Sequence, residues 1–142
     1  FGVPMPVEDE EQITSWSKRA VECALAMRSA IDELNSEWAR EGLPPVRMRI
    51  GICTGPVVAG FLGSTRRMKY TTVGDTVNTA ARLESYGKEL SGLEEQEKGC
   101  RILLSQSTAE RVRQYFQLRP VGSLRLKGKS QQVEVYLVSG YV

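Results

Sequence analysis

The feature that most constrains the fold is an abrupt change of hydrophobic period between Gly42 and Val46. Before Gly42, apolar residues recur every three or four positions, which predicts a helix of about 25 residues begun by Thr14 or Ser15. Its predicted buried face consists of Trp16, Ala20, Ala24, Met27, Ile31, Leu34 and Trp38. After the break, apolar and polar residues alternate through residues 46–52, which is the period of a half-buried strand. The chain must therefore pack helices against a sheet.

Glycine and proline divide the next residues into a hairpin and a short helix. Residues 54–56 (TGP) predict a turn that pairs the first strand with the apolar run 57–60. A loop that carries Arg66, Arg67 and Lys69 is expected next. A short helix then begins at about Thr76, with Asp75 as its N-cap.

The remaining elements complete an alternation of helices and strands. We expect an exposed insertion over 86–99, a buried strand over 101–105, and a helix from the capping pair Ser107 and Glu110 to about Phe116. Two alternating strands close the chain, over 123–127 and 133–138. This order predicts an α+β or α/β sandwich of helices on a sheet. Because Phe1 to Pro4 are typical of a strand leaving a core, the first strand or two are expected to precede this chain.

The composition is that of one globular domain and excludes several functions. The 142 residues are 41% hydrophobic and 25% charged, enough for one domain but not two. A net charge of +2 predicts no nucleic-acid partner. The sequence has no run of about 18 apolar residues, so we expect this segment to make no membrane contact. The absence of histidine excludes a Ser-His-Asp triad and a His-liganded zinc. The three scattered cysteines predict buried thiols in a reducing, cytoplasmic compartment.

The most informative motif lies in residues 69–84, where an amide and a guanidinium are four residues apart. On the predicted helix, Asn78 and Arg82 share one face. A guanidinium offers paired N–H groups that match phosphate oxygens, and an asparagine amide can hold a ribose hydroxyl. The same spacing also fits an exposed helix face on which Arg82 pairs with Glu84 or Asp75. The opposite, apolar face is expected to consist of Val77, Ala80 and Ala81.

Three stretches resemble the catalytic domain of class III nucleotidyl cyclases. They are residues 49–60 (RIGICTGPVVAG), residues 74–84 (GDTVNTAARLE), and the closing pair 126–128 (LKG) and 133–136 (VEVY). The resemblance implies the ferredoxin-like cyclase fold, a mixed or antiparallel sheet with helices packed on it. It also implies that residues 1–142 are the C-terminal part of a single catalytic domain.

The same resemblance implies an activity and the residues that would carry it. Members of the family convert a nucleoside triphosphate to its 3′,5′-cyclic monophosphate and pyrophosphate, at sites shared by two domains paired head to tail. Asn78 would position the ribose, Arg82 would stabilise charge on the α-phosphate, and Lys127 would bind the β- and γ-phosphates, with Lys129 as a neighbouring candidate. A homodimer through the catalytic domain is expected. The reaction would use two Mg²⁺ or Mn²⁺ ions held by two aspartates.

The residue that helps to read the purine is Thr71. Threonine at this place resembles the bacterial, bicarbonate-responsive-type adenylyl subgroup, which implies ATP as the substrate. A hydroxyl can accept from the adenine amino group or donate to the guanine carbonyl, so GTP also fits this residue. The sequence is compatible, too, with a non-catalytic, regulatory partner domain and with a small binding module of chance similarity.

Two departures from the family pattern matter. Cys53 stands where the family usually has histidine, and we interpret it as a packing substitution. Both metal aspartates of the family fall before Phe1, and Asp75 and Glu84 cannot replace them. This chain alone is therefore expected to hold no catalytic metal and to be inactive.

Overall fold

The computed structural model describes residues 9–87, 99–125 and 132–142. In these residues the elements follow in the order α1 (Glu10–Arg40), β1 (Met48–Ile52), β2 (Val58–Ser64), β3 (Arg67–Val73), α2 (Asp75–Ser85), β4 (Cys100–Ser105), α3 (Gln106–Val112), β5 (Phe116–Arg125) and β6 (Gln132–Tyr141). The buried strand predicted from sequence is present as β4, which is buried along its whole length.

Four strands form one mixed sheet in the order β1-β4-β6-β5. The pair β1 and β4 is parallel, whereas β6 is antiparallel to both β4 and β5. Two helices, α1 and α2, contact β1 and β4. The strands β2 and β3 form a separate antiparallel pair outside this sheet. The α+β class with a mixed sheet is thereby confirmed.

The prediction that residues 57–60 pair with the first strand is wrong. β2 pairs with β3, so Arg67 and Lys69 lie in a strand rather than in a loop. β1 instead lies beside β4, which places Ile50 next to Ile102, a fully buried residue. A period of two identifies a strand but carries no information about its partner, which is chosen by burial between distant segments.

The helix α1 begins earlier than predicted, and its predicted face is buried only in part: Ala24 is buried, and the other predicted residues except Met27 are half-buried. Asp9 is its N-cap, since a carboxylate oxygen of Asp9 accepts from the N–H of Glu11 at 3.1 Å. The residues buried against the sheet are Ser17, Val21, Ala24 and Leu25. Met27, predicted to be buried, is 46% exposed. Small side chains at the contact let a helix lie close to a sheet. A prediction from hydrophobicity alone does not identify a buried serine as part of that contact.

The helix α3 is shorter than predicted and has a different cap. Ser105, the last residue of β4, is the N-cap and accepts from the N–H of Thr108. The predicted pair Ser107 and Glu110 therefore lies inside the helix. The helix ends at Val112, and the fully buried Phe116 begins β5 instead of extending α3.

The cysteines are only partly as expected. Cys100 is buried, Cys53 is half-buried and Cys23 is exposed, so the prediction of buried thiols is wrong for Cys23. Among the described residues, no helix combines the length and the apolar character needed to cross a lipid bilayer.

Candidate active site

The helix that carries Asn78 and Arg82 begins at a glycine. Gly74 is the N-cap of α2 and has a φ of 141°, a backbone conformation that side chains rarely permit. Asp75, predicted to be the cap, is instead the first helical residue. The hydroxyl of Thr76 donates to the carbonyl oxygen of Pro56 at 2.7 Å, which ties the start of α2 to the loop before β2.

The buried face of α2 consists of Thr79 and Leu83, one turn apart. Leu83 is fully buried in a cluster with Leu103, Val135 and Leu137. The apolar face predicted for this helix is displaced in the structure, because Ala81 is exposed. The displacement leaves Asn78 and Arg82 on the flank of the helix, outside its core contact.

Close packing on β1 sets the depth of α2. At Gly51 an added Cβ would lie 2.6 Å from the backbone nitrogen of Glu84 and 2.9 Å from the Cβ of Leu83. It would also overlap the carbonyl oxygen of Ala80. Only a residue without a side chain allows the two backbones to approach this closely.

Arg82 reaches from α2 to the end of β5. The residue is half-buried, and its Nη1 donates to the carbonyl oxygen of Arg125 at 2.7 Å. Arg125 is the last residue of β5, and the residues that follow it in the chain include Lys127. Lys127 and Lys129 lie outside the described residues, so the structure places Arg82 beside the strand that leads to them and no further.

Asn78 is exposed, one turn before Arg82 on the same helix. Its backbone N–H donates to the carbonyl oxygen of Gly74 at 3.2 Å, within the first turn of α2. Because the residue is exposed, it lies on the accessible side of the helix. The Glu84 carboxylate, which the spacing also allowed as a partner of Arg82, accepts from Nε of Arg49 at 3.0 Å.

Thr71 is half-buried in β3, two residues before the strand ends at Val73. It lies opposite Gly60 in β2, whose lack of a side chain leaves open space at that position. Through Val73 and Gly74 the strand leads directly into α2. The predicted base-reading residue and the predicted ribose and phosphate residues of α2 thus lie on consecutive elements.

Cys53 packs against the cluster around Leu83. A thiol is a small, weakly polar side chain that fills such a position without a hydrogen-bond partner. This contact supports its interpretation as a packing substitution.

Sequence reasoning missed Arg101, the second residue of β4. The residue is 5% exposed, and its Nη2 donates to the backbone carbonyl oxygens of Glu84 and Tyr86 at the end of α2. The signal was present, because an arginine inside a buried apolar run is costly unless it has a partner. The partner is far away in sequence and could not be named from it.

The described residues do not form a metal site. Within residues 9–87, 99–125 and 132–142, no group of three or more His, Cys, Asp or Glu side chains is arranged to hold an ion.

Residues 2–140 match the family model for the catalytic domain of adenylate and guanylate cyclases. The chain belongs to this family of class III nucleotidyl cyclase domains. The match includes the segments that carry Thr71, Asn78 and Arg82.

Similar proteins include both adenylate and guanylate cyclases. Adenylate cyclase 1 of Rhizobium meliloti (strain 1021) is 36% identical over 137 residues, which is 96% of this chain and 19% of that protein. The structure of the adenylyl cyclase CyaB from P. aeruginosa superposes with a TM-score of 0.76 at 30% identity, covering 97% of this chain and 64% of that one. The guanylate cyclase domain of RhGC from Catenaria anguillulae, solved in complex with GTP, has a TM-score of 0.71 at 30% identity over 99% of this chain and 65% of that one.

These likenesses confirm the cyclase fold for the described residues. The chain spans about a fifth of the length of the Rhizobium meliloti cyclase and less than two thirds of the length of each of the two solved chains.

Proposed function

We propose that this chain is the C-terminal part of an adenylate cyclase catalytic domain, which converts ATP to 3′,5′-cyclic AMP and pyrophosphate. The observation that carries the proposal is the placement of Asn78 and Arg82 on one accessible flank of α2, with Arg82 bonded to the end of β5. That bond directs a guanidinium toward the strand end from which Lys127 follows in sequence.

The proposed reaction needs charge stabilisation more than covalent catalysis. The ribose 3′ oxygen attacks the α-phosphorus, the bond from that phosphorus to the bridging oxygen of the β-phosphate breaks, and the hydroxyl proton passes to solvent. Charge accumulates on the α-phosphate oxygens and on the leaving pyrophosphate.

Each predicted residue has a role in this scheme. Arg82 has one N–H group bonded to the Arg125 carbonyl, and its other N–H groups would donate to an α-phosphate oxygen. Asn78 would hold the ribose so that the 3′ oxygen is in line. Lys127, or its neighbour Lys129, would neutralise the β- and γ-phosphates.

Class III cyclases use divalent metals, and the described residues offer no cluster to hold them. We propose that two Mg²⁺ or Mn²⁺ ions are held by two aspartates outside the described residues, where the family resemblance puts them before Phe1. When bound, such ions would supply Lewis-acid stabilisation of the phosphates. Residues 1–142 alone are expected to be inactive, because they lack these aspartates. We place the domain in the cytoplasm.

The choice between ATP and GTP rests on Thr71. We expect the full-length protein to turn over ATP in the presence of Mn²⁺, at a kcat/KM at least about tenfold above that for GTP, as the resemblance of Thr71 to the adenylyl subgroup implies. The products are measured by separation of cyclic AMP and cyclic GMP. A preference for GTP would establish a guanylate cyclase instead, and no turnover of either nucleotide would favour a regulatory domain.

The proposed partner is a second copy of this domain. The strands β2 and β3 stand outside the main sheet, and Phe61, Met68 and Tyr70, which share one face of the pair, are 65%, 60% and 48% exposed. Phe61 and Tyr70 stack edge to face, with ring centroids 5.1 Å apart. A contiguous exposed apolar patch of this kind is typical of an interaction site.

We expect Phe61→Asp to convert a dimer into a monomer in sedimentation equilibrium and to lower turnover at least about tenfold, because a charge in a desolvated apolar contact has no partner. The matched control is Met27→Asp, which places the same charge at an apolar residue of α1 that is 46% exposed. The control should change neither quantity. A dimer that persists in the Phe61 variant would contradict the assignment of this surface.

A further inference from the structure

The carboxyl end of α2 is held by a buried arginine. The last carbonyl groups of a helix have no partner within it and need donors from elsewhere. Nη2 of Arg101 donates to the carbonyl oxygen of Glu84 at 3.3 Å and also to that of Tyr86. A cation at this end also interacts favourably with the helix dipole.

A second arginine holds the same turn through a side chain. Arg49 and Arg101 are neighbours in register on the parallel strands β1 and β4. Nε of Arg49 donates to the Glu84 carboxylate at 3.0 Å. The end of α2 is therefore bound at its backbone by one strand and at its side chain by the next.

Burial of Arg101 in β4 has a desolvation cost in free energy. Residues 100–105 are all buried, and an apolar side chain would suit the strand without desolvating a charge. Nη1 of Arg101 finds no acceptor among the described residues, so the guanidinium is not fully satisfied either. Replacing buried ionic groups with apolar ones is often neutral or stabilising, which argues against stability as the sole reason for Arg101.

Apolar contacts alone do not determine where α2 lies along its axis. Leu83 and the contact at Gly51 set the depth of the helix on β1, but burial of apolar surface is not directional. Hydrogen bonds depend on direction. The nearer of the two acceptors of Arg101, the Glu84 carbonyl oxygen, is only two residues after Arg82 in the chain. A slide or rotation of α2 would break them and would move the Arg82 guanidinium with the helix.

We propose that Arg101 is a positioning residue for the reaction, which fixes the carboxyl end of α2 and thereby the place of Arg82 relative to the α-phosphate. The inference rests on the proposed cyclase function. A shift of about 1 Å in a group that stabilises a transition state can lower a rate by about 10²-fold, so a remote anchor of this kind affects kcat.

The test compares Arg101→Met with Arg28→Met in the full-length protein. Arg28 is a matched control, because its Nη1 and Nη2 donate to two backbone carbonyl oxygens, of Val138 and Ser139, at 3.1 and 3.0 Å. Those bonds tie α1 to β6 and do not touch α2. Each variant is assayed at a temperature that lies the same number of degrees below its own thermal unfolding midpoint. The rates are divided by the concentration of folded protein.

We expect Arg101→Met to lower kcat by roughly 10- to 100-fold with KM for the nucleotide changed less than about threefold. Arg28→Met should leave kcat within about twofold. Arg101→Lys should recover a large part of the loss, because one nitrogen, Nη2, makes both bonds and an ammonium carries three donors. An unchanged kcat in Arg101→Met, or an equal loss in Arg28→Met, would overturn the proposal.

Hydrogen exchange separates this inference from the proposed function. The N–H of Tyr86 donates to the carbonyl oxygen of Leu83 at 3.2 Å, and we expect its exchange to accelerate at least about tenfold in Arg101→Met but not in Arg28→Met. If the unsubstituted protein turned over neither ATP nor GTP, the proposed function would fail. Unchanged exchange in Arg101→Met would overturn the anchor whatever the activity.

Discussion

Arg82→Ala is expected to lower kcat for cyclic AMP formation by roughly 10²-fold or more, the scale seen when one preorganised donor to a developing charge is removed. The reason is that the guanidinium is already held by the Arg125 carbonyl, so it would meet the α-phosphate of a bound nucleotide without reorganising. The free energy of unfolding should change little, because the bond to Arg125 lies at the surface. Steady-state kinetics and chemical denaturation of the same preparation measure both.

Two further variants sharpen this prediction. Arg82→Lys keeps the charge but not the planar fork, and should restore only part of the rate. Arg119→Ala removes an exposed arginine from β5 itself, near the opposite end of the strand from Arg125, and should leave kcat unchanged. A kcat of Arg82→Ala equal to that of the unsubstituted protein would exclude Arg82 from the site.

Gly51→Ala is expected to have the next largest effect, on both stability and rate. The new methyl carbon would lie 2.6 Å from the backbone nitrogen of Glu84, so α2 must move away from β1. Overpacking of this kind costs about 1–3 kcal/mol of unfolding free energy. The same movement displaces Asn78 and Arg82, so kcat should fall by roughly 10²-fold.

The control for this variant is Gly140→Ala in β6. An added Cβ at Gly140 meets nothing within 4 Å, and the backbone there is an ordinary strand conformation. This variant should keep its unfolding free energy to within about 0.5 kcal/mol, as surface substitutions usually do. Equal stability and equal kcat in both variants would show that α2 does not depend on the contact at Gly51.

Local sequence was sufficient to find most elements but not all of their limits. The alternation in residues 46–52 predicted β1, and the buried strand predicted over 101–105 is β4. The caps at Asp9 and Ser105 were missed, because several polar residues near each helix start can serve as a cap and the fold selects among them.

The candidate site divides in the same way. The spacing of Asn78 and Arg82 and the family resemblance predicted which residues share the accessible flank of α2. The bond from Arg82 to the Arg125 carbonyl was not predictable, because backbone acceptors have no signature in sequence. The role of Arg101 was hidden for the same reason, although a charge inside a buried strand was itself a signal.

The kinds of elements, the family and the residue types that can contact a triphosphate were predictable from the sequence, because period and spacing are local properties of the chain. The position of β1 beside β4, the contact of α2 with Gly51 and the reach of Arg101 to the end of α2 were not. These contacts join segments that are distant along the chain. They form where burial and hydrogen bonding are satisfied together, a condition that belongs to the whole fold and to no single segment.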